Sequence, residues 1–264
     1  FFVEQNKKLE DQELSLVEKV SIQKDITKAK DFLKNKQYDE ISLDEYNKRI
    51  TEITESIKKI YPENQLNIFI AHSAWQFKYP KEAIDITTSL VEKLEEDSLK
   101  SICYFIRANS YSELKRYDEA LEDYSKASLH NPSTPIYDFY RAQLLDFTNK
   151  KEESIATYKK LLENYANIST YHNHYGMLLF SLKRYDDAQK SFDKSIAIFE
   201  GTYMAWYNKA KVYIILGNEA ETIKSLDNAF KYSPNYDILI SIVKLDSDFK
   251  KFSKLDEIIK KYVK

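Results

Sequence analysis

The chain has 264 residues, room for one elongated domain or two small ones. Three scattered glycines (Gly176, Gly201, Gly217) and five prolines exclude collagen-like or Gly/Pro-rich designs and glycine-built phosphate loops, and the lone Cys103 excludes an intramolecular disulfide or a cysteine zinc cluster. A net charge of −2 with only five arginines among 40 basic residues argues against a nucleic-acid partner, and no run of about 18 apolar residues is present to span a membrane.

In chain order, Phe1-Phe2-Val3 precedes a charged segment, as the tail of a removed apolar signal or anchor would and as a trimmed chain would. The compartment is left open between the cytoplasm and a cell envelope. Ile22, Ile26, Ala29 and Leu33 predict a helix, followed by a loop near 36–41. Ser42-Leu43-Asp44-Glu45 reads as a capping box, after which Leu43, Tyr46, Ile50, Ile53, Ile57 and Ile60 form a narrow apolar seam. Residues 1–62 are therefore expected to form a helical hairpin. It either caps the helices C-terminal to it or attaches the chain to another subunit.

From residue 63 the sequence repeats. Leu114-Lys115-Arg116-Tyr117-Asp118-Glu119-Ala120 returns 68 residues later as Leu182-Lys183-Arg184-Tyr185-Asp186-Asp187-Ala188, and intermediate positions set the period at 34. Ala108, Ala142, Gly176 and Ala210 form one column of small residues at that step, and Ala120, Ser154, Ala188 and Thr222 form another. Bulky groups recur at Tyr124, Tyr158, Phe192 and Leu226, and at Tyr111, Leu145, Leu179 and Tyr213. The columns predict stacked helix hairpins, with small residues letting backbones approach and the large residue filling the space between neighbouring hairpins. Full units are expected at 101–134, 135–168, 169–202 and 203–236, with a diverged unit at 64–97 from Ala71, Ala74, Ala83 and Leu90, three residues out of step. Turns fall at Lys115-Arg116, 149–151 and Gly217-Asn218, and Asp118 and Asp186 favour the starting dipole of the second helix.

These columns resemble the tetratricopeptide repeat, in Tyr104, Ala108, Tyr111, Ala120, Tyr124, Ala127 and Pro132 and again in Trp206, Ala210, Tyr213, Leu226, Ala229 and Pro234. Ala166 and Glu200 replace the closing proline in the two middle units. The resemblance covers about two-thirds of the chain. It implies an all-α, right-handed helical solenoid of about five hairpins, spanning 63–236, with helical caps at both ends. Residues 237–264 form the C-terminal cap: Lys244 interrupts the small-residue column, and Leu245-Asp246-Ser247-Asp248-Phe249 is similar to the closing stretch of bacterial tetratricopeptide proteins.

The four histidines do not cluster; His172 and His174 lie about 200° apart around a helix and cannot share a metal. They read as helix-surface or groove residues, Cys103 as a small buried hydrophobe, and no catalytic residue, metal or cofactor is expected. The resemblance further implies a concave groove lined by the second, fifth, sixth and ninth residues of each first helix. In this chain those are Ile102, Phe105, Ile106 and Asn109; Ile136, Phe139, Tyr140 and Gln143; Thr170, Asn173, His174 and Met177; and Met204, Tyr207, Asn208 and Lys211. Amides there would bond a ligand backbone, and aromatic rings would hold its apolar side chains. The expected partner binders are Phe105, Asn109, Phe139, Tyr140, Gln143, Asn173, His174, Tyr207, Asn208 and Lys211. The opposing expectation is that the aromatic rings merely pack between first helices. The cations with which some family members clamp chaperone tails are absent: Phe105, Asn109, Tyr140, Thr170 and His174 stand at their places in one register, and Asn173, Met177, Asn208, Ile238 and Ile242 in another. A non-enzymatic adaptor for a protein or peptide partner is expected, with a structural subunit of a larger assembly as the rival.

Overall fold

A computed structural model describes residues 42–58, 61–250 and 252–262. The helix expected at Ile22 to Leu33 and the seam residue Ile60 lie outside them. Among the described residues every regular element is helical: α1 (Leu43–Ile57), α2 (Glu63–Gln76), α3 (Pro80–Lys93), α4 (Asp97–Glu113), α5 (Tyr117–His130), α6 (Ile136–Phe147), α7 (Lys151–Asn164), α8 (Ser169–Ser181), α9 (Tyr185–Ile198), α10 (Tyr203–Ile215), α11 (Glu219–Tyr232), α12 (Tyr236–Leu245), a 3-10 turn (Ser247–Phe249) and α13 (Leu255–Lys260). The chain divides into two compact units, one ending at Tyr137 and the other starting at Asp138.

In the first unit α2 packs on α3 and α4 on α5, and α4 also touches α2 and α3. In the second, α8 packs on α9 and α10 on α11, α9 meets α10, and the first helices α8 and α10 touch each other. This all-α arrangement of paired helices is the fold the columns predict. All four small residues of the first column are buried, as are Ala120, Ser154, Ala188 and Thr222. Against them Tyr124, Tyr158, Phe192 and Leu226 are at most 2% exposed. Each such side chain contributes roughly 1.5–3 kcal/mol by leaving water. The diverged hairpin keeps the pattern, with Ala71, Ala74 and Ala83 fully buried.

Each hairpin turn is built the same way, and its key residue is periodic. Lys115, Asn149, Lys183 and Gly217 all have positive φ (60°, 62°, 60° and 72°), spaced 34 residues apart, and Lys78 (66°) does the same in the diverged hairpin. In every case the next residue's N–H donates to a carbonyl five residues back: Arg116 to Tyr111, Lys150 to Leu145, Arg184 to Leu179, Asn218 to Tyr213 and Tyr79 to Ala74. These bonds satisfy carbonyls that the first helix would leave orphaned. The second helices α5, α7 and α9 then start without a side-chain cap but with acids in the first turn (Asp118 and Glu119, Glu152 and Glu153, Asp186 and Asp187), where the helix dipole favours them. Because a non-glycine side chain crowds its own carbonyl in this conformation, Lys183→Gly is expected to stabilise the protein by roughly 0.5–1 kcal/mol. Gly217→Ala, whose Cβ meets nothing within 4 Å, should cost about 1 kcal/mol from backbone strain alone. Opposite shifts of the urea midpoint check the pair.

At the N-terminal end Ser42 caps α1 by accepting from the Glu45 N–H (3.2 Å), and the Tyr46 hydroxyl donates to the Ile70 carbonyl (3.0 Å). Tyr46 and Ile50 join the core of the first hairpin, whereas Leu43 remains exposed. Cys103 lies in the same core, and burial pushes its thiol up to about 12. Thiol-specific reagents at pH 8 should therefore leave it unlabelled until the chain is unfolded; rapid labelling of folded protein would contradict this packing.

Candidate functional site

The expected groove residues are divided between the two units. In the first, Phe105 is half-buried against Tyr124 and Tyr137 (ring centroids 6.0 and 5.2 Å apart), and Ile106 is buried. Asn109 is 6% exposed and its amide is bonded within the hairpin: Nδ2 donates to the Phe105 carbonyl (2.7 Å) and Oδ1 accepts from the Tyr124 hydroxyl (3.1 Å).

In the second unit the fifth positions turn inward. Phe139 sits among Tyr158, Tyr171, His174 and Tyr140, and is 7% exposed. Asn173 and Asn208 are buried and joined to each other, Asn208 Nδ2 donating to Asn173 Oδ1 (3.0 Å) across α8 and α10. Tyr207 is buried and stacks on Phe249, its hydroxyl donating to Asp246. Lys211, expected among the partner binders, is ion-paired with Asp246 (2.9 Å) and Asp248 (3.1 Å). Burial acts to raise the Asp246 carboxyl, but the bonds from Tyr207 and Lys211 outweigh it and hold it below the usual carboxylate value. The segment C-terminal to α12 thus closes over the α10 face.

Tyr140, Gln143 and His174 are half-buried, and Met177 is 41% exposed. Gln143 Nε2 lies 3.3 Å from His174 Nδ1, and the His174 ring meets Phe139 edge to face at 5.1 Å. Burial lowers His174 below the usual histidine value despite Asp146, which favours the neutral ring. The face of α6 and α8 therefore offers aromatic, thioether and amide groups without a net charge, suited to an apolar or neutral polypeptide segment. His172, two residues away, faces other neighbours: its Nε2 donates to the Ala166 carbonyl at 2.8 Å. The sequence carried no sign of the Asn173–Asn208 bond or of the Asp246 clasp beyond the shared 35-residue step of the asparagines.

Among the described residues no group of three or more His, Cys, Asp or Glu side chains could hold a metal ion, and no helix is long and apolar enough to cross a membrane.

Sequence models of the tetratricopeptide repeat match residues 101–133, 138–167, 169–201 and 204–236. TPR repeat-containing protein MJ1428 of Methanocaldococcus jannaschii is 26% identical over 260 residues, 95% of this chain; the chain spans 43% of that relative's length. Among solved structures, MamA superposes with a TM-score of 0.55 at 14% identity, over 62% of this chain and 94% of MamA. YrrB, described as a TPR protein with an unusual peptide-binding site, superposes with a TM-score of 0.53 at 19% identity, over 74% of this chain and 98% of YrrB. Both likenesses show the fold.

Proposed function

This chain belongs to the tetratricopeptide repeat family, and from that premise we propose that it is a non-enzymatic adaptor that holds a segment of a partner polypeptide on the first-helix face of its second unit. The observation that carries this reading is the open neutral surface of Tyr140, Gln143, His174 and Met177, set on rigid helices and bordered by buried aromatic rings. Aromatic and thioether groups surrounded by water-excluding neighbours concentrate binding energy. Phe139, Asn173 and Asn208 lie buried beside that surface, Tyr207 packs under the closing segment instead, and Phe105 and Asn109 shape the corresponding face of the first unit. Lys211 holds the closing segment rather than a ligand.

In this reading residues 63–236 form the repeat array, 237–264 close it, and 1–62 cover its beginning; the packing of Tyr46 and Ile50 into the first hairpin supports the covering role for α1. The peptide-binding site reported for YrrB supports the same use of the fold. The test is site-specific photo-crosslinking, with the reactive group placed at Met177 or, as a control, at the exposed Lys224 of α11. Adducts with one polypeptide at Met177 and none at Lys224 are expected. Adducts at Lys224 alone would overturn the reading in favour of an assembly subunit using its outer face.

A further inference from the structure

His172 and His174 lie about 200° apart around α8, so the helix presents one of them to each side. On the His172 side, α7, α8 and α9 border an open cleft of about 370 Å³ lined by Lys159, Glu163, His172, Tyr175, Lys190, Ser191 and Lys194, with Leu162 and Ala166 as its apolar members. The repeat explains why it is open. In the first full unit the equivalent place is filled: Arg107 of α4 donates to both carboxylate oxygens of Asp123 in α5 (2.6 and 2.9 Å) and to Thr88 of α3 (3.1 Å). Sixty-eight residues on from Arg107 and Asp123 stand Tyr175 and Ser191, and Lys159 is the counterpart of Thr88 once the three-residue offset is counted. The buried ion pair has been replaced by hydroxyls, and a cation has been added at the rim.

The charges left there do not balance. Lys159, Lys190 and Lys194 line the cleft together with one carboxylate, Glu163. Lys190 reaches Asp187 only at 3.9 Å, and Asp187 is already bonded by Arg184 at 2.6 Å. Neither Lys159 nor Lys194 has an ion pair among the described residues. The lining thus carries a charge of about +2, matching the −1.5 to −2 of a phosphate monoester at neutral pH. We propose that this cleft binds a phosphate group, free or carried by a phosphorylated polypeptide, with Lys159, Lys190 and Lys194 as its cationic contacts.

His172 reports occupancy. Its Nε2 is fixed as a donor by the Ala166 carbonyl, and burial, with the Lys194 charge adding to it, outweighs that bond and keeps the ring below the usual histidine value. The charged groups around it are Lys159 and Glu163 from α7 and Lys190, Lys194 and Asp187 from α9, and its own helix adds the neutral phenol of Tyr175. A dianion among them cancels the Lys194 repulsion and favours the protonated ring.

The experiment is an NMR titration of the histidine Cε1–H signals of the full chain with inorganic phosphate, against sodium chloride at matched ionic strength. The His172 midpoint is expected to rise with phosphate while that of His72, in the first unit, stays fixed; the Lys159→Gln/Lys194→Gln variant, altered only at exposed side chains, should bind at least about tenfold more weakly. Equal movement of both histidines, or unchanged affinity in the variant, would overturn the proposal. A phosphoserine peptide and its unmodified form provide the second arm. Tighter binding of the phosphopeptide than of inorganic phosphate assigns the cleft to a modified polypeptide, equal binding assigns it to the free anion, and equal binding of the modified and unmodified peptides contradicts phosphate recognition. Crosslinking at Met177 reads the opposite side of α8, so either site can fail without the other.

Discussion

Asp123→Ala is expected to lower the stability of the protein by about 3–5 kcal/mol, because it leaves the Arg107 guanidinium buried and without its counter-charge. Asp123 is 3% exposed and Arg107 9%, and both carboxylate oxygens accept from the guanidinium, at 2.6 and 2.9 Å. The third bond, from Arg107 to Thr88, ties the α4–α5 hairpin to α3, so the loss reaches the preceding hairpin as well. Replacing both partners by apolar residues of similar volume, Arg107→Met with Asp123→Leu, should recover most of that loss, since no buried charge then remains. Urea unfolding of the single and double variants measures the difference. Equal destabilisation by both would show that the pair acts through its shape rather than its charge.

Gly176→Leu is the second large effect, about 3 kcal/mol, at the upper end of what overpacking costs. A Cβ at Gly176 would lie 2.6 Å from Phe192 Cε1 and 2.8 Å from Cδ1, and Phe192 is 1% exposed, so its ring has nowhere to move. Ala142 occupies the equivalent place opposite Tyr158, and Ala210 opposite Leu226, so the small-residue column is a column of close helix approaches. Gly176→Leu combined with Phe192→Ala should regain part of the loss by opening the same space. A melting temperature unchanged by Gly176→Leu would mean that α8 and α9 do not approach this closely.

The helix hairpins were legible because packing acts on every unit alike: the same neighbour lies one period away, so Ala108, Ala142, Gly176 and Ala210 repeat visibly. The turns were legible only as polar stretches. Their left-handed residue was present as a column too, but with lysine at 115 and 183, asparagine at 149 and glycine only at 217 it did not carry a uniform residue type. The candidate face was half legible. Its positions on the first helices were implied by the family resemblance, yet the fifth position borders both the face and the next helix, and in the second unit Phe139, Asn173 and Tyr207 all went to the interior. Lys211 could not be placed from its own helix, because its partners Asp246 and Asp248 come from the closing segment, where the 34-residue register fades. The His172 cleft was hidden for a related reason: it arises from what Tyr175 and Ser191 do not supply, and absence of an ion pair is visible only beside the unit that has one.

The claim that the α6–α8 face holds the partner is tested most directly by the affinity of the crosslinked polypeptide for Tyr140→Ala, measured by calorimetry beside the parent chain and Lys254→Ala. Tyr140 is half-buried on the face, and Lys254 is exposed at the start of α13. A loss of about 2 kcal/mol or more, roughly thirtyfold in Kd, is expected for Tyr140→Ala with an unchanged urea midpoint, and almost none for Lys254→Ala. Parent-like affinity in a folded Tyr140→Ala variant would contradict partner binding at this face.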